Sequence, residues 1–138
     1  MTYTDPNFKQ LDEKQSLVLG YIFEDAYLID KNANTATKIG SFYGDPSFGL
    51  ISSNLDWCLV GGSYLCIWQK GGQIIRLEED ELENSCKARQ IAPFEVEVLI
   101  DPWSNKGGVW RLNIETFEMY QLNTIDKRHE AYSEDVEW

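Results

Sequence analysis

The chain has 138 residues, with 12 Lys and Arg against 23 Asp and Glu, for a formal net charge of −11. One domain of this size can hold a core without disulfide or metal staples, and a content of 43% hydrophobic and 13% aromatic residues excludes intrinsic disorder. The acidic field repels nucleic acid and anionic membranes and attracts cationic partners, and no apolar run approaches the length of a membrane span.

Residues Met1–Glu13 read as a polar lead-in without the basic-then-apolar order of a signal peptide. Ser16–Phe23 is rich in β-branched and aromatic residues and predicts the first strand. Tyr27–Asp30 follows it, Lys31–Thr35 is an Asn-rich turn, and Thr37–Phe42 returns as a hairpin partner. Tyr43–Gly49 carries Gly44, Pro46 and Gly49 and predicts a loop. Trp57–Val60, Tyr64–Trp68 and Gln73–Leu77 predict a three-strand meander turned at Gly61-Gly62-Ser63 and at Lys70-Gly71-Gly72. Its middle strand is apolar on both faces and is therefore expected to be covered on two sides.

Glu78–Gln90 is the one segment with helical character, because Leu82 and Cys86 fall four apart and the first turn is acidic. A short helix is expected at about residues 79–90, and Pro93 ends it. From Phe94 to Asp101 the residues alternate: Phe94, Val96, Val98 and Ile100 share one face, with Glu95, Glu97 and Asp101 opposite. Val109–Asn113 and Phe117–Leu122 predict a last hairpin, and residues 123–138 form an acidic tail expected to be mobile. The fold class is thus mainly β: antiparallel meander sheets in a sandwich or partly open barrel, in a single domain over residues 1–138. Tyr27-Leu28-Ile29-Asp30 and Trp110-Arg111-Leu112-Asn113 echo each other as in the outer hairpin of a propeller blade. A closed ring of blades of about 40–45 residues needs a longer chain, so the echo reads as ordinary hairpin chemistry.

No complete catalytic motif is present, and neither an enzyme nor a cofactor is expected. His129 is the only histidine, no Cys pair has zinc spacing, and the run Glu78–Glu83 lacks the glycine and ligand pattern of a calcium loop. Cys58, Cys66 and Cys86 read as free thiols in a reducing compartment, with a Cys58–Cys66 bridge as the alternative. Carboxylates such as Asp56, Glu78 and Glu95 leave a hydrolase as the last option, and nothing picks out two that flank one bond. The tryptophans leave room for a non-enzymatic ligand- or carbohydrate-binding domain.

Protein binding is the stronger reading. Five of the six residues 78–83, namely Glu78, Glu79, Asp80, Glu81 and Glu83, are carboxylates, and Glu95, Glu97 and Asp101 add charge along one strand face. Trp103 and Trp110 nearby would supply an apolar anchor within an acidic rim. These residues are the candidate partner-binding set. Together with the Trp57–Leu77 meander, the acidic residues resemble, in general character, those of bacterial toxin-immunity proteins, including the contact-dependent inhibition type. That resemblance implies a cytoplasmic, stoichiometric inhibitor that occludes the active site of a basic toxin domain, commonly a nuclease. It implies a basic protein partner and no nucleic acid or membrane.

Overall fold

The computed structural model describes residues 4–138. The described residues run through twelve strands: β1 (Phe8–Lys14), β2 (Leu17–Ile22), β3 (Asp25–Asp30), β4 (Thr35–Ser41), β5 (Phe48–Ile51), β6 (Trp57–Gly61), β7 (Leu65–Gln69), β8 (Gln73–Leu77), β9 (Ser85–Ala92), β10 (Glu95–Ile100), β11 (Gly108–Asn113) and β12 (Met119–Thr124). They make three four-stranded antiparallel sheets, each a meander of consecutive strands: β1–β4 (sheet one), β5–β8 (sheet two) and β9–β12 (sheet three). Among the described residues, no helix is long and apolar enough to cross a membrane.

The sheets stack in order, and two cores lie between them. Leu17, Leu19, Ala26, Leu28 and Ile39 of sheet one meet Ile51, Cys58, Val60 and Cys66 of sheet two. Trp57, Leu59, Leu65 and Ile67 point the other way, onto Val96, Val98, Ile100 and Leu112 of sheet three. Successive residues of β6 and β7 thus serve opposite cores, as the two-residue period of a strand requires, and the middle sheet is covered on both faces. The first strands of the sheets are neighbours, β1 beside β5 and β5 beside β9. Four-stranded meanders placed side by side through their first strands have the arrangement of propeller blades.

Polar bonds fasten the stack. Asp12 Oδ2 accepts from Ile51 N at 2.8 Å and Lys14 Nζ donates to Ile51 O at 2.6 Å, tying sheet one to sheet two. Trp57 Nε1 donates to Pro93 O at 2.8 Å, and Gln69 Nε2 donates to Ile114 O at 3.0 Å, tying sheet two to sheet three. The Lys70-Gly71-Gly72 turn forms as expected, with φ of +106° and +98° at its two glycines.

Several expectations are corrected. The lead-in contains strand β1, whose Leu11 packs on the first core; residues 1–3 of that segment lie outside the described residues. A fourth strand, β5, completes the central meander. The expected helix reduces to a single 3-10 turn at Asp80–Leu82, followed by β9. Cys86 is not a helical partner of Leu82: tertiary pairing with β10 overrides the local propensity. Cys58, Cys66 and Cys86 are all free thiols. The echo is hairpin chemistry, as expected. Tyr27–Asp30 and Trp110–Asn113 lie in the third strands of sheets one and three. Asp30 Oδ1 accepts from Asn32 N and Ala33 N, and Asn113 Oδ1 accepts from Glu115 N and Thr116 N. The same turn chemistry stands at the same place in two sheets.

Candidate functional site

Antiparallel meanders send alternate connections to opposite ends of the stack. Phe42 N donates to Glu24 O, Ser47 N to Gly61 O, and Asp101 N to Asn84 O, so the connections at 23–24, 42–47, 62–64, 78–84 and 101–107 share one rim. Lys31 N donates to Ser16 O, Lys70 N to Asp56 O and Ile114 N to Phe94 O, which gathers the remaining turns on the other rim.

The two rims differ in charge. The five connections of the first rim contain Glu24, Asp45, Glu78, Glu79, Asp80, Glu81, Glu83 and Asp101 against one basic residue, Lys106. The opposite rim mixes Lys31 and Lys70 with Asp56, Glu115 and Glu118. Leu82, buried in the second core, is the apolar peg that holds the 78–84 link down while its neighbours face outward. Glu78, Glu79, Asp80 and Glu83 are exposed and surround a cleft of about 250 Å3 that also touches Tyr43 and Ser63. Tyr43 is 84% exposed and Phe23, on the same rim, 69%. Beneath them the rings of Phe42 and Tyr64 stack with centroids 4.5 Å apart, and the Arg76 guanidinium caps Tyr64 at 3.8 Å while pairing with Glu78. Exposed Tyr43 thus stands beside a cluster of carboxylates, on loops braced by buried aromatics.

The sequence-predicted residues divide into groups. Glu78, Glu79, Asp80 and Glu83 come together at this cleft. Glu81 turns instead to a larger cleft of about 550 Å3 on sheet three, where it meets Trp110, Lys106 and Asp126. Asp101 reaches the same rim, but its Oδ1 accepts from Trp103 N at 2.9 Å and stabilises the turn. Glu95 lies at the far end of β10, away from the acidic rim.

Glu97 is not a projecting charge. It is buried, with Arg89 and Arg111 on the flanking strands directly opposite it. Arg89 Nε donates to Glu97 Oε1 at 2.9 Å, and Arg111 donates to Oε2 at 2.9 Å. The Arg111 hydrogen bond, seconded by Arg89, holds the Glu97 carboxyl below the ordinary glutamate range although burial opposes it. The outer face of sheet three therefore sets Lys87, Arg89 and Arg111 among Glu95, Glu97 and Asp101, a face of mixed charge rather than the acidic one expected from the alternation. Trp110 faces the second core, opposite Glu97, so it does not join Trp103 in a single anchor. Trp103 packs on Tyr132 of the tail, with ring centroids 5.0 Å apart.

Tyr43, Phe23, Glu24 and Asp45 were missed in the sequence. The available signal was an aromatic residue inside a Gly- and Pro-rich connection, where core packing gives it no reason to be.

No protein-family model matches the chain, and no curated protein does. Among solved structures the chain is similar to the crystal structure of the N-terminal domain of Nup159, with a TM-score of 0.53 and 12% sequence identity over 91% of this chain. The chain spans about one third of that chain's length, 33%. At this identity the likeness is one of fold.

Proposed function

We propose that this chain is a non-enzymatic protein-interaction domain that presents its acidic rim to a basic segment of a partner protein. The observation that carries the reading is the segregation of charge: eight carboxylates and two exposed aromatics share the connections of one rim with a single basic residue, Lys106. A basic segment is steered by that field before contact, and Tyr43 and Phe23 supply apolar area on arrival. The carboxylates sit on connections pinned by Leu82, Phe42 and Tyr64, so little ordering is left to occur on binding. A cytoplasmic immunity protein whose partner is a basic toxin domain is the narrower form of this reading.

The test uses a defined probe, an unstructured peptide rich in Lys and Arg, titrated onto the intact chain at low and moderate salt. Glu79→Lys with Glu83→Lys is expected to weaken binding by about tenfold or more and to flatten its salt dependence. Asp56→Lys with Glu115→Lys makes the same charge change on the opposite rim and is expected to leave most of the affinity. Equal losses in the two double variants would reduce the effect to net charge and overturn the rim as the site.

A further inference from the structure

The tail does not hang free. Lys127 N donates to Pro102 O at 2.8 Å. Trp103 Nε1 then donates to Glu130 O at 2.9 Å, Lys87 Nζ to Glu134 O at 2.6 Å, and Arg89 to Trp138 O at 2.5 Å. Tyr132 packs on Trp103, and the Trp138 ring lies 4.1 Å under the Arg89 guanidinium. Residues 125–138 therefore cross the outer face of sheet three, the face turned away from sheet two.

We propose that this face is a docking groove for a segment of a partner protein rich in aromatic and acidic residues, and that residues 125–138 are its resident occupant in cis. Three features of the face carry the assignment. First, charge is complementary where the two meet. Lys87 and Arg89 lie against residues 130–138, which bring Glu130, Glu134, Asp135 and Glu137 and no Lys or Arg; Glu97 of the same face is already paired with Arg89 and Arg111, and Glu95 and Asp101 stand at the two ends of β10. Second, the grip is on backbone. The carbonyls of residues 130 and 134 accept from Trp103 of the β10–β11 connection and from Lys87 of β9, and such bonds hold any chain that follows the same path; Arg89 donates to the backbone oxygen of Trp138. Selectivity falls to the aromatics: a ring beside Trp103 and a ring under Arg89. Third, the resident fits loosely. A cleft of about 410 Å3 stays open between the strap and Cys86, Leu99 and Pro102, and Tyr132 is 72% exposed. A loosely packed segment opens more readily than the core strands beneath it, and its tether gives it an effective concentration in the millimolar range that an incoming segment must overcome. The groove adjoins the rim at Ser47 and residues 101–103 but is lined by none of the carboxylates of residues 78–83, so its test does not depend on them.

The experiment titrates a fluorescent synthetic peptide of residues 126–138 onto the full chain and reads anisotropy. The wild-type chain, with its own strap seated, is expected to bind weakly. Tyr132→Ala with Trp138→Ala loosens the strap and is expected to raise peptide affinity by about tenfold or more. Adding Lys87→Glu or Arg89→Gln to that variant is expected to remove the gain; Lys87 is an exposed position away from the Glu97 pair. Circular dichroism establishes that each variant is folded. Equal affinity of wild type and the double alanine variant, or no binding to either, overturns the proposal. A wild-type dimer that dissociates on Trp138→Ala would assign the groove to the strap of a second copy and overturn the partner reading.

Discussion

Glu97 offers the sharpest test of the packing described here. Glu97→Ala removes a carboxylate whose side chain is 10% exposed and leaves Arg89 and Arg111 side by side, 46% and 33% exposed. Breaking a fully buried ion pair costs about 3–5 kcal/mol, and an exposed pair contributes at most about 1 kcal/mol. Here the carboxylate is buried but both guanidiniums reach water and can rehydrate, which puts the loss between those limits at about 2 kcal/mol. Urea unfolding at pH 7, with an unchanged denaturant slope, is the assay. A loss under about 0.5 kcal/mol would refute the bridge as a structural element. The pH dependence has a defined sign. The folded-state carboxyl is held below its ordinary range, chiefly by Arg111, so the folded state takes up this proton less readily than the unfolded chain. The stabilisation is therefore present above the unfolded glutamate pKa of about 4.3 and lost as pH falls through the lower folded value. The stability gap between wild type and Glu97→Gln should narrow on acidification from pH 7 towards pH 3; a gap independent of pH would contradict the assignment.

Two further outcomes follow from the cores. A Cβ at Gly61 would collide with the Phe48 ring, so Gly61→Ala should cost about 1–3 kcal/mol in thermal or chemical unfolding. Phe48→Leu in the same chain should recover part of the loss, and strictly additive effects would show that the two residues do not touch. The thiols should be unreactive in the folded chain: burial pushes Cys58 far up and raises Cys66 and Cys86 to about 11. Alkylation at pH 8 should modify the half-buried Cys86 first and slowly, and Cys58 and Cys66 only on unfolding. Labelling of Cys58 at the rate of a free thiol would place it outside the core.

Much of the architecture was legible in the residues, because a strand with one covered face alternates and a short hairpin turn demands glycine. Trp57–Leu77 was readable as a meander for these reasons, and the two apolar faces of Tyr64–Trp68 announced a sheet covered on both sides. The acidic link at residues 78–83 was equally legible, since a run of carboxylates has nowhere to lie but solvent. Tertiary structure decided the rest. Ser85–Ala92 has helical composition but becomes a strand because β10 offers it a ladder of backbone partners, and local propensity is weaker than that. Alternation placed Glu97 opposite the apolar residues of its strand, yet only the register against β9 and β11 sets two arginines beside it and turns an acidic face into one of mixed charge. Tyr43 and the carboxylates of residues 78–83 are about 40 residues apart in sequence, and their meeting depends on which rim each connection reaches. A pattern in sequence reports the local period of the backbone. Which charges become neighbours is set by the pairing of strands distant in the chain, and both candidate surfaces of this protein rest on that pairing.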